Sequence, residues 1–155
     1  MVLLAFENVS KSYGSTLALE HINFEIEAGK IIGLLGPNGS GKTTIIKLIN
    51  GLLQPNDGKV LINGLQPSPE TKKIVSYLPD TTYLNEKMKV KDALQYFQSF
   101  YADFEMERAQ ALLQDLHIDE NLAFKKLSKG NKEKVQLILV MSRQAKLYVL
   151  DEPIG

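Results

Sequence analysis

Gly36-Pro37-Asn38-Gly39-Ser40-Gly41-Lys42-Thr43-Thr44 joins glycines to a lysine and two hydroxyls. That combination suits a polyphosphate. Glycines let backbone N–H groups turn inward and approach an anion closely, and a helix starting near Lys42 adds its positive N-terminal end. In such a Walker A loop Lys42 reaches the β- and γ-phosphates, and the Thr43 hydroxyl ligates Mg²⁺. A second segment, Leu147-Tyr148-Val149-Leu150-Asp151-Glu152, is an apolar run ending in two acids, the Walker B form. Asp151 at the end of a strand can hold Mg²⁺ through water, and Glu152 can orient and deprotonate an attacking water. Acids also follow strands as plain solvated turns, so this segment alone admits both readings. A third, Leu127-Ser128-Lys129-Gly130-Asn131, precedes a helix. It reads either as an ordinary N-cap or as a second anion site built from Ser128 and the Gly130 amide.

The elements that must position these groups are legible from periodicity. Residues 2–9 and 18–27 read as strands, the second alternating Leu19, Ile22, Phe24 and Ile26 with Glu20, Asn23, Glu25 and Glu27. Lys11 to Ser15 reads as the turn between them. The continuous apolar run over 30–35 predicts a strand buried on both faces. A helix over 41–53 would place Ile45, Leu48, Ile49 and Leu52 on one side. A turn at Gln54–Gly58, a short strand Val60–Ile62 ending at Asn63-Gly64, and a strand Ile74–Leu78 closed by Pro79 follow. Then the pattern becomes helical: 90–101, 105–117 with Met106, Ala109, Leu112, Leu113 and Leu116 on a stripe, and 130–144 with Val135, Ile138, Leu139 and Ser142. Residues 146–150 read as a last buried strand.

The bulk properties narrow the function. At 155 residues the chain is one ordinary domain in size. Lys and Arg balance Asp and Glu at 18 each, so no global charge points to nucleic acid or an anionic membrane. Without cysteine there is no disulfide scaffold and no thiolate metal site. No apolar run spans a bilayer, and the N-terminus lacks a basic leader, so the expected setting is cytosolic. Composition and periodicity reach a nucleotide-binding α/β domain and stop there.

The run from Leu127 to Pro153 resembles the LSGGQ signature, helix and Walker B of the ATP-binding cassette (ABC) family. GPNGSGKTT matches that family's Walker A, and Ser12-Tyr13-Gly14 falls where its adenine-stacking aromatic lies. The resemblance covers essentially the whole chain. It implies an α/β fold: a P-loop NTPase, RecA-like core with an N-terminal antiparallel β subdomain and an all-helical insert. The implied division is 1–79 for the β subdomain and Walker A core, 80–130 for the insert with the signature, and 131–155 for the signature helix and Walker B strand. It further implies an ATPase subunit using ATP and Mg²⁺ and pairing head to tail with a second cassette, identical or not. A separate membrane permease would be driven by that pairing, with the protein lying at the inner face of the membrane and no nucleic acid involved. Gly36 to Thr44 would hold the phosphates, Tyr13 the adenine, and Ser128 and Gly130 the γ-phosphate of the partner's nucleotide. Thr43, Asp151 and Asp80 would serve the metal, and Glu152, Lys42 and Asp80 the chemistry. Tyr83 and Leu84 would meet the permease.

The sequence departs from the family in three places. Asp80 stands where a glutamine is usual, adding charge beside the phosphates. The signature reads LSKGN, so Lys129 is either a phosphate contact or a solvated cation. The chain stops before the family's D-loop and switch histidine, and neither His21 nor His117 takes that role. The expectation is therefore a piece of a longer cassette, binding nucleotide weakly and hydrolysing it poorly. Two other readings stay open: a soluble cassette ATPase, and a nucleotide-gated interaction module.

Overall fold

The computed structural model describes residues 1–30, 32–34, 41–78 and 84–151. Two compact units divide it, Met1–Val75 and Ser76–Gly155. The first is built on a three-stranded antiparallel sheet of order β2-β1-β3, with β1 (Val2–Tyr13), β2 (Thr16–Glu27) and β3 (Asp57–Ile62). β1 lies in the middle, which explains why Leu3, Leu4, Ala5 and Phe6 are buried in succession. β2 is the edge and keeps the alternation read from its sequence. Phe6 opposes Phe24 across the ladder, their rings stacked at 4.6 Å.

The ladder is bulged between Phe6 and Lys11. Asn8 and His21 both have positive φ there, at 53° and 46°. Side chains replace the lost backbone bonds. The Asn8 amide donates to Asn23 Oδ1 at 2.8 Å, the His21 amide to Ser10 Oγ at 3.0 Å, and His21 Nδ1 meets Asn8 Oδ1 at 3.0 Å. Both strands run past the predicted Lys11–Ser15 turn, because Lys11 to Tyr13 pair with Leu19 to Thr16 and only Gly14 and Ser15 turn.

Helix α1 (Lys42–Ile49) is shorter than its periodicity suggests. The Asn50 side-chain amide donates to the Ile46 carbonyl at 2.9 Å, and the Leu52 N–H folds back to Lys47 O. The chain leaves the helix before Leu52, which is 62% exposed rather than buried. Ile46, in place of Ile45, joins Leu48 and Ile49 in the core. A second difference concerns the apolar run over 30–35. Residues 32–34 form no strand, and Ile32 and Leu34 are exposed. A strand is buried on both faces only when neighbours pair with it, and no described strand pairs here. Helix α2 (Pro69–Ile74) was not anticipated, although Ser68-Pro69-Glu70-Thr71 carries its signal: a reciprocal capping box with proline at the first turn.

In the second unit, α3 (Val90–Phe100), α4 (Met106–Asp115), a 3₁₀ turn (Phe124–Lys126) and α5 (Lys129–Met141) enclose an apolar core that includes Leu94, Phe97, Leu113, Phe124, Val135 and Leu139. Strands β4 (Val75–Leu78) and β5 (Leu147–Leu150) pair with each other. The prediction of a buried last strand fails: β5 is half-buried and Leu150 is exposed, for β4 is its one described partner. Polar groups brace this unit. Ser76 Oγ donates to Val140 O at 2.9 Å, and Tyr148 Oη donates to Arg143 O. Buried Arg143 grips Asp103 through Nε at 3.0 Å and Nη2 at 3.2 Å, with its guanidinium 4.0 Å from the centre of the Tyr101 ring. Burial raises the Tyr101 phenol pKa above its ordinary value, and the Arg143 cation opposes that shift. No helix among the described residues is long and apolar enough to cross a membrane.

Candidate functional site

The first unit carries Gly41, Lys42, Thr43, Thr44 and Tyr13. Gly41 is the N-cap of α1 with φ 98°, a backbone that a side chain resists. It is also pressed against the hairpin: a Cβ there would lie 2.8 Å from Leu19 Cδ2 and 3.1 Å from Ala18 O. The first helical bond runs from Ile45 N to Gly41 O at 3.0 Å, so the amides of Lys42, Thr43 and Thr44 lie ahead of the ladder. The first turn carries no acidic residue and no side-chain cap. Each feature keeps the positive end of the helix available to an anion. Lys42 is half-buried, Thr43 exposed and Thr44 buried.

Tyr13, at the end of β1, is half-exposed and reaches the same turn. Its Oη lies 3.3 Å from Thr44 Oγ1, and Lys11 Nζ sits 5.9 Å from its ring centroid. Sequence reasoning selected Tyr13 but missed this bond. Nothing in the linear order of Tyr13 and Thr44 announces it; the β1–β2 hairpin creates it.

The second unit holds the other groups. Ser128 is the N-cap of α5, its Oγ accepting from Asn131 N at 3.1 Å, so the N-cap reading describes what this side chain does here. Ser128, Lys129 and Gly130 are all exposed, and nothing lies within 4 Å of where a Gly130 Cβ would be. One turn on, Lys132 pairs with Glu86 at 2.9 Å. Asp151 directly follows β5, half-buried, with its N–H donating to Leu78 O at 2.9 Å. Leu84 packs against the helical core, while Tyr96 and Phe100 stack on the exposed side of α3.

The expectations for Gly36, Pro37, Asn38, Gly39, Ser40, Asp80, Tyr83 and Glu152 fall outside the described residues. Among those described, no group of three or more acidic or histidine side chains could hold a metal by itself. Thr43 in the first unit and Asp151 in the second are each a hard oxygen donor of the kind Mg²⁺ takes. His21 and His117 serve structure, one in the sheet bulge and the other at the end of α4 with φ 55°.

Comparison with known proteins extends this. Residues 19–155 match the family described as ABC transporter. The chain is 36% identical, over 99% of its length, to the SkfA peptide export ATP-binding protein SkfE of Bacillus subtilis, covering 66% of that protein. It is 30% identical to the lipopolysaccharide export system ATP-binding protein LptB of Haemophilus influenzae, covering 99% of the chain and 68% of LptB. A solved ATP-binding subunit of an ABC transporter superposes with TM-score 0.86 at 31% identity, over 98% of this chain and 67% of that one. A second such protein, from Pyrococcus furiosus, gives 0.85 at 31% identity, over 97% and 76%. The chain spans between about half and two thirds of the length of the first curated relatives it matches.

Proposed function

The chain belongs to the ABC transporter family, and from that premise we propose that it binds and hydrolyses ATP to power a separate membrane permease. The observation that carries this reading is the start of α1. An uncapped, acid-free first turn opens off the left-handed Gly41 into Lys42, Thr43 and Thr44, which is the apparatus a triphosphate needs.

In this reading residues 1–79 hold the nucleotide, 80–130 form the helical insert with the signature, and 131–155 carry the signature helix and Walker B strand. Gly36 to Thr44 cradle the phosphates, with Lys42 neutralising the β- and γ-groups. The half-exposed Tyr13 ring receives the base. Thr43, Asp151 and Asp80 hold Mg²⁺, which supplies charge neutralisation on the phosphates when bound. Glu152 takes the proton of the attacking water. Ser128 and Gly130 reach the γ-phosphate of a second cassette's nucleotide, which their exposure permits. The exposed Tyr96–Phe100 pair gives the insert an apolar surface suited to a permease. The protein then works at the cytoplasmic face of a membrane.

Isothermal titration with MgATP and a phosphate-release assay test this. The chain should bind MgATP, Lys42→Ala should abolish binding, and Glu152→Gln should retain binding while stopping release. Unchanged binding by Lys42→Ala would refute the reading.

A further inference from the structure

The hydrogen bond between Tyr13 and Thr44 has a consequence for nucleotide binding that the ring of Tyr13 does not explain. Thr44 is 7% exposed and stands in the first turn of α1. A hydroxyl so enclosed needs a partner. Here Tyr13 Oη lies 3.3 Å from Thr44 Oγ1. When the phenol donates, Thr44 keeps its own hydrogen as a donor. Bonds in such a chain polarise one another, so the donor is also strengthened.

The same hairpin holds this turn at a second, independent point. Ala18 and Leu19 of β2 close on Gly41 so tightly that no Cβ fits. Tyr13 and Ala18–Leu19 thus contact the first turn of α1 from two places on one hairpin, three residues apart along the helix.

We propose that Tyr13 is a positioning residue for Thr44. Its hydroxyl sets the Thr44 hydroxyl as a donor to a phosphate oxygen, separately from the stacking of its ring on a base. The proposal rests on the reading of this loop as a nucleotide site. It makes the end of the β1–β2 hairpin part of phosphate recognition.

The two roles separate by chemistry, since Tyr13→Phe keeps a stacking face and loses only the hydroxyl. The test is a double-mutant cycle over Tyr13→Phe and Thr44→Val in the full chain, with Kd measured for MgATP and for Mg-tripolyphosphate, which has no base. Thr44→Ser restores the hydroxyl, and thermal melts report folding of each variant. The expected result is a loss of about two- to tenfold for Tyr13→Phe toward both ligands, the range of one hydrogen bond. In the Thr44→Val background Tyr13→Phe should have no further effect, and Thr44→Ser should restore both the affinity and the sensitivity to Tyr13→Phe. Additive losses, a Tyr13→Phe loss confined to MgATP, or no loss at all would each overturn the proposal. If the wild-type chain binds neither ligand, the nucleotide-site reading itself fails and takes the proposal with it. Binding of both by the wild type with an uncoupled cycle sinks the proposal alone.

Discussion

Gly41→Ala probes how tightly the loop end is held, and its cost has two separable parts. The first is conformational. At φ 98° an L-residue brings its Cβ against a carbonyl oxygen, which costs about 1–2 kcal/mol even in the milder left-handed region. The second is steric. The new methyl would stand 2.8 Å from Leu19 Cδ2 and 3.1 Å from the Ala18 carbonyl. Leu19 is 4% exposed and has little room to yield, so overpacking adds about 1–3 kcal/mol. Together they reach about 2–5 kcal/mol, a large share of a stability of about 5–15. For a chain of this size that is a drop of roughly 4–20 °C in Tm. Urea and thermal denaturation followed by far-UV circular dichroism measure it. Gly14→Ala is the internal control: φ is 59° and nothing lies within 4 Å, so the conformational part stands alone. If Gly41→Ala costs no more than Gly14→Ala, the contact of the hairpin with the loop end contributes nothing and the steric argument is wrong.

Asp103→Ala leaves the Arg143 guanidinium buried without its carboxylate, and should cost about 2–4 kcal/mol, less than for a fully buried pair because Asp103 is partly exposed. Adding Arg143→Met in a double variant should recover part of that loss in the same denaturation assay; a loss below about 0.5 kcal/mol for Asp103→Ala would show the pair to be incidental. Ser68→Ala removes the capping hydroxyl of α2 and should cost about 1 kcal/mol. The backbone N–H of Glu70 and the Ser68 hydroxyl hold the Glu70 carboxyl below its ordinary pKa. That contribution is present above about pH 4.5, the unfolded value, and is lost as pH falls through the lower folded value. Ser68→Ala should therefore raise the Glu70 pKa in an NMR titration and flatten the acid limb of the stability curve; an unmoved Glu70 titration would refute the coupling.

The sequence by itself determined the chemical inventory and its order along the chain. Glycines with Lys42 and Thr43 read as polyphosphate chemistry because backbone amides free to turn inward, beside a cation, suit an anion. Apolar spacing was enough to find α3, α4 and α5, since amphipathic helices are local objects whose period needs no partner to be read. What depends on partners was not legible. The run over 30–35 has the composition of a buried strand, yet residues 32–34 are exposed and pair with no described strand, because burial requires neighbours that no local pattern encodes. Leu52 continues a helical stripe, yet lies outside the helix, because Asn50 ends it with its own side chain. Only the tertiary structure closed β1 and β2 into a hairpin reaching from Tyr13 to Thr44 and from Leu19 to Gly41. A hydrogen bond 31 residues apart in sequence is decided by where the chain folds back. The same holds for Arg143 and Asp103, 40 residues apart, whose pairing depends on the low-dielectric interior the helices create around them.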